Sequence, residues 1–258
     1  MALPHGKKRV RSGVSVGRFA PSRRSLVVGL GLLAIVVGGY YAARESSAFA
    51  IDRVDVTGAP VDVRRQVRDS VAALHGSSLL ALDGAALERR LEALPTVVAV
   101  TFDRSFPHTL RVDVVPETPV AAVRRGKETW LVSARGRVIA RIPKGSEGAF
   151  TRIWVKRAAT VVAGGFLAAD AGGTAARALA LALRFPARIA VASFAHGELV
   201  FRLRSGLELR LGEPTDIRLK LAIARRALRQ LPAGSAYVDV SMPGRPVAGP
   251  DPQVSSGG

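Results

Sequence analysis

Eighteen consecutive uncharged residues, Leu26 to Ala43 (LVVGLGLLAIVVGGYYAA), constrain this chain more than any other feature. At the helical rise the run spans about 27 Å, close to the thickness of a bilayer hydrocarbon core. Arg23 and Arg24 precede it, and Arg44 and Glu45 follow. Its Leu, Ile and Val residues each favour insertion by roughly 0.3 to 0.6 kcal/mol at the centre of an inserted helix, which outweighs its glycines. The run therefore predicts a transmembrane helix over 25–44. Leu26, Leu30, Leu33 and Val37 would anchor it in lipid, with Tyr40 and Tyr41 at the interface. Ala34, Gly38 and Ala42 recur every four positions and would allow close packing of a neighbouring helix.

Positive charge sets the orientation. Lys7, Lys8, Arg9, Arg11, Arg18, Arg23 and Arg24 precede the run with no acidic residue among them, whereas few basic residues follow closely. Such asymmetry keeps the N-terminus in the cytoplasm. The reading is a single-pass type II protein of the cytoplasmic (inner) membrane, with residues 1–24 as a basic tail and the bulk outside. A cleaved signal peptide competes with it, because Ala48-Phe49-Ala50 has the form of a cleavage site. The apolar run, however, is longer than the usual signal core and ends short of that site.

The absence of cysteine excludes a disulfide framework and thiolate metal sites, so an exported domain must rest on its core alone. The net charge of +18 does not mark a nucleic-acid protein: aromatics make up only 5%, and no zinc-finger, RNP or P-loop spacing occurs.

Beyond the anchor, 44–50 reads as a short linker. Ile51 to Val56 alternates apolar and charged residues as a half-buried strand does, closed by Gly58. Val63, Val67, Val71 and Leu74 form one helical stripe after Pro60. Asp83 suits the N-cap of a second helix with Leu87, Leu91 and Leu94 on its apolar face. Val98, Val100 and Phe102 alternate in one strand and Leu110, Val112 and Val114 in another, joined by a turn at Ser105-Phe106-Pro107-His108.

This β-α-α-β-β order over 51–119 resembles a POTRA domain. The phrases VTG, SSLLALD, LPTVVAV and RSFPHTLRVDVVPETPVA resemble the FtsQ/DivIB family of bacterial cell-division proteins. The resemblance continues through Trp130-Leu131-Val132-Ser133 and Gly136-Arg137-Val138-Ile139, which open the family's second, β-rich domain, here 120–248. Ser133 stands where the family usually has an acidic residue. Further strands are expected at 152–155, 188–194, 199–203 and 207–211, with hairpin turns at His196-Gly197 and Ser205-Gly206. One helix is expected to be capped by Thr174, and another to run from about Thr215 with Ile217, Leu221, Ala224, Leu228 and Leu231 buried. Both should cover one face of the sheet. The fold class is thus α+β, with residues 249–258 a disordered tail.

No catalytic constellation emerges, so the chain reads as no enzyme, with no cofactor, metal or small-molecule substrate. His5, His75, His108 and His196 have no metal-ligand spacing. Glu88 and Glu92 lie opposite the Leu87/Leu91 stripe on a solvated face. Asp113, Glu117 and Asp239 sit at strand positions beside basic residues. What remains is surface for binding, and the last strand, Tyr237-Val238-Asp239-Val240-Ser241-Met242, is the expected sheet edge. Charge at Val240 or Met242 should then disrupt a partner. The resemblance implies the same segment, since in this family the C-terminal part of the β domain receives FtsB/DivIC-type and FtsL-type bitopic division proteins. It also implies a scaffold concentrated at the division septum. Pro243 and Pro246 would interrupt any longer ladder. The alternatives are a POTRA-bearing envelope transport component and a wall-associated protein released at Ala50.

Overall fold

The structure, a computed structural model, describes residues 23–156 and 158–250. Most of the expected basic tail and most of the expected C-terminal tail lie outside the described residues.

Helix α1, Arg23–Glu45, has no buried residue and contains an 18-residue stretch of mean hydropathy 2.1, long and apolar enough to cross a membrane. No free linker follows it. Only Ser46 separates α1 from a short helical turn at Ser47–Phe49. The Phe49 carbonyl accepts from Leu79 N–H at 2.8 Å, and the Phe49 ring meets Phe106 edge-on at 5.6 Å. His108 Nδ1 lies 3.0 Å from the Ala50 carbonyl. The segment expected to be a linker is therefore part of the module that follows it, because Phe49 and Ile51 have apolar partners there.

That module is a three-stranded sheet covered by two helices. Strands β1 (Arg53–Thr57), β2 (Val97–Ser105) and β3 (Thr109–Pro116) lie in the order β1-β3-β2, with β1 parallel and β2 antiparallel to β3. Helices α2 (Val61–Val71) and α3 (Gly84–Glu92) bury Val67, Val71, Leu87 and Leu91 against it, as the apolar stripes predict. Asp83 caps α3, its Oδ1 accepting from Ala86 N–H at 3.0 Å. Val97, not Val98, enters the core: the register slips between Val97 and Ala99, so the strict alternation expected through Val98 fails there. Gly58 has φ +78°, and a Cβ on it would sit 2.5 Å from the Val114 carbonyl oxygen. Gly58→Ala is expected to cost about 1–3 kcal/mol, read as a lowered urea midpoint with an unchanged slope.

The second module is a nine-stranded sheet, ordered β12-β11-β10-β9-β8-β7-β4-β5-β6. Its strands are β4 (Pro119–Arg125), β5 (Glu128–Ser133), β6 (Val138–Ile142), β7 (Thr151–Trp154), β8 (Ile189–Ala195), β9 (Glu198–Leu203), β10 (Glu208–Gly212), β11 (Tyr237–Asp239) and β12 (Val247–Gly249). Helices α4 (Thr174–Leu181) and α5 (Ile217–Ala227) pack on one face over Leu199, Phe201, Leu209, Leu211 and Val238. Thr174 does not cap α4. Gly173 takes that place with helical backbone angles, and Thr174 is buried inside the first turn, its hydroxyl accepting from Arg177 at 3.3 Å. The chain turns so tightly here that a Cβ on Gly173 would lie 2.5 Å from the Leu167 carbonyl.

Candidate partner-binding surface

At one end of the large sheet the chain presents the segment expected to bind partners, arranged differently from the expectation. β11 is not the edge. It pairs in parallel with β10 and, on its other side, antiparallel with β12, through Tyr237 opposite Gly249 and Asp239 opposite Val247. Strand geometry ends at Asp239, although Val240 N–H still donates to the Arg210 carbonyl at 2.9 Å. Asp239 Oδ1 then accepts from Ser241 N–H at 2.8 Å, which starts a reversal. Pro243 and Pro246 fall inside that reversal, where neither needs an N–H for the ladder, and Val247 brings the chain back alongside. Among the described residues the edge strand at this end of the sheet is β12. Sequence reasoning missed it because three residues after two prolines carry too short a pattern to read.

Alternation divides the predicted residues between the two faces. Val238 and Val240 are fully buried on the helix-covered side. Val240 is thus core, and a charge there would report on folding instead of binding. Tyr237 and Asp239 point to the open face. The Arg210 guanidinium lies 4.5 Å from the Tyr237 ring centroid, in the range for cation–π attraction. Glu208 Oε1 accepts from Arg210 Nε at 2.8 Å, and this bond raises the Arg210 pKa further above its ordinary value. A Cβ on Gly249 would stand 3.3 Å from the Tyr237 hydroxyl, so the ring leans over β12. Met242 in the reversal is 69% exposed and Val247, the first residue of β12, 53%. Together these give a short free edge bordered by an arginine-stacked tyrosine and two solvent-facing apolar side chains.

The anchor residues Leu26, Leu30, Leu33, Val37, Tyr40 and Tyr41 are all exposed on α1, and nothing else among the described residues covers them. His75, His108 and His196 are scattered over separate turns. Among the described residues no three of His, Cys, Asp or Glu gather as a metal site.

Glu117 departs most from its expected ordinary role. It follows β3, and its side chain is only 2% exposed. Arg135 donates to it at 2.5 Å, and Arg137 approaches to 4.0 Å. Arg137 also donates to the carbonyls of Val97 at 2.6 Å, Glu92 at 3.0 Å and Gly164 at 3.1 Å. One buried guanidinium thereby ties the end of α3 and the start of β2 to the large sheet. Nothing in local spacing announces this, since its partners lie 20 to 45 positions away.

Comparison with known proteins is consistent with this architecture. Residues 49–115 match the model of the FtsQ-type POTRA domain. The chain is 34% identical over 117 residues to cell division protein FtsQ of Streptomyces venezuelae, covering 45% of this chain and 43% of that protein. The protein of the same name from Streptomyces coelicolor is 33% identical over 132 residues, half of each chain. With these two the match thus spans half or less of the relative. The Streptomyces collinus protein of that name is 27% identical over 251 residues, 94% of this chain and 95% of its own.

Proposed function

We propose that this chain, which carries an FtsQ-type POTRA domain and is homologous to cell division protein FtsQ along nearly its whole length, serves cell division as a membrane-anchored scaffold that binds and does not catalyse. On this reading α1 spans the cytoplasmic membrane with the N-terminus inside, and both sheet modules work outside, gathered at the septum. Residues 51–119 and 120–248 act as its two binding domains. The partners are bitopic coiled-coil division proteins of the FtsB/DivIC and FtsL types.

The observation that carries the reading is the free β12 edge, three residues long, beside Tyr237 and the exposed Met242 and Val247. A sheet edge offers backbone hydrogen bonds for affinity, and flanking side chains give selectivity. Anchoring without cleavage is supported by Phe49 and Ala50, both bonded into the first module next to the cleavage-like Ala48-Phe49-Ala50. Holding the edge at the membrane raises its effective concentration for other anchored proteins.

Met242→Glu with Val247→Glu is expected to weaken capture of the FtsB/DivIC-type partner about tenfold or more, with unfolding unchanged, since both side chains face solvent. A fluorescent fusion of the variant should reach mid-cell yet fail to support division. Unaltered partner binding by a folded double variant would sink the edge assignment. Even labelling of the whole envelope by the wild-type fusion would sink the division reading.

A further inference from the structure

We infer that the face formed by α4 and α5 is a second contact surface, one that lies against the anionic headgroups of the membrane in which α1 is held. The inference rests on α1 being a membrane span.

Charge and apolarity on this face are arranged without any acidic counterpart. From Ala171 to Gly197 and from Ile217 to Val238 there is no Asp or Glu. Arg184, Arg218, Arg225, Arg226 and Arg229 are all exposed, and among the described residues no carboxylate forms a salt bridge with any of them. Arg124, Arg125 and Arg202 of the same module are paired with Glu147, Glu128 and Glu208. Arg152, Arg188, Arg204 and Arg245 are exposed without a salt bridge as well, so what sets the α4–α5 face apart is five arginines close together in two stretches that hold no carboxylate.

That face also displays leucines. Leu183 is 68% and Leu219 53% exposed, and Leu181 is exposed beside them. Leu181, Arg184, Arg218 and Arg225 line one shallow depression between the end of α4 and the start of α5. On α5, successive 100° steps leave Arg218, Leu219, Ala222, Arg225 and Arg226 on the outward arc, while Ile217, Lys220, Leu221 and Ala224 turn inward, and Arg229 follows in the tighter turn Leu228–Gln230. Next to it, Arg225 and Arg229 rim a cavity of about 700 Å³ lined by Leu203, Leu207, Leu228 and Leu231.

Basic residues interleaved with protruding leucines describe a surface that lies in a membrane interface, with leucines below the headgroups and guanidinium groups on phosphate. The open cleft that Arg225 and Arg229 rim mixes leucines with Ser205 and Ser235, so it has room for part of an acyl chain beside groups that can meet a headgroup. The α1 anchor keeps the module near the bilayer in any case, so a weak lipid affinity is enough. Docked this way, the opposite face, with Arg202 and Tyr237, looks away from the membrane.

The chain contains no cysteine, so Leu183→Cys gives one reactive thiol for an environment-sensitive fluorophore. The full-length labelled protein would be reconstituted into vesicles of phosphatidylcholine alone, or with about one-third phosphatidylglycerol, each carrying bromolipid quencher. The expected result is about twofold or greater quenching in the anionic vesicles only. It should be lost in molar salt, where the Debye length falls to ~3 Å, and lost in R184E/R218E/R225E. A label at Arg202→Cys should stay unquenched. Equal quenching in both vesicle types, or none in a protein that co-floats with the vesicles, would overturn the inference and leave the anchor standing. Failure to co-float would remove the anchor and the inference together. Protection of the label by an acidic leucine-rich peptide, with no lipid quenching, would assign the face to a protein and overturn the inference too.

Discussion

Replacing Arg137 by methionine is expected to cost about 3–5 kcal/mol and to split one unfolding transition into two. Arg137 is 9% exposed, and its fork holds the carbonyls of Glu92, Val97 and Gly164. Methionine restores much of the volume but leaves those carbonyls without their donor. It also leaves Glu117 paired only with Arg135, whose side chain is 46% exposed. The penalty comes from stranded buried acceptors, which exceeds the net worth of the bonds themselves. Lysine at 137 keeps the charge and loses the fork, so it should fall between methionine and wild type. Urea unfolding followed by Trp130 and Trp154 fluorescence reports on the large sheet, and circular dichroism adds the first module. Loss of less than about 1 kcal/mol with one coincident transition would show that the modules do not depend on this residue.

Val240→Asp is expected to destabilise the protein by more than about 3 kcal/mol, whereas Met242→Asp should change stability by less than about 0.5 kcal/mol. The two sites are two residues apart and their environments differ completely. Val240 is fully buried beneath α5, where a carboxylate would find no partner, while Met242 is 69% exposed. Equal midpoints for the two variants would contradict the pairing of β11 between β10 and β12. The pair also separates folding from binding in any partner assay.

Elements whose residues face one neighbour were legible in the chain. The stripes Val67/Val71 and Leu87/Leu91, the cap at Asp83 and the alternation Leu110-Val112-Val114 each show a period or a spacing that the structure reproduces. So does the helix expected over 25–44, which α1 extends by two residues at its start and one at its end. What escaped were features decided by distant partners. The slip that puts Val97 in the core depends on β3. Gly173 displaced Thr174 as the start of α4 because Leu167 and Ala168 return close to it. Glu117 looked like one more acidic residue among arginines, yet two of those arginines bury it. At the candidate edge the segment Tyr237–Met242 was visible, but β12 was not. Its existence depends on a reversal through prolines that a ladder pattern cannot foresee.

The single residue between α1 and the turn at Ser47 leaves the join between the apolar helix and the first module almost no slack. Ser46 adds at most ~3.5 Å of reach, and its hydroxyl is bonded back to Ala43 at 3.0 Å. Phe49 and Ala50 are by then fastened to the first module. A flexible tether would let the two sheet modules tumble relative to α1 and would absorb any twist of that helix. With so short and so bonded a connection, a rotation of α1 about its axis would be passed to Phe49 and Ile51 instead of being lost in slack.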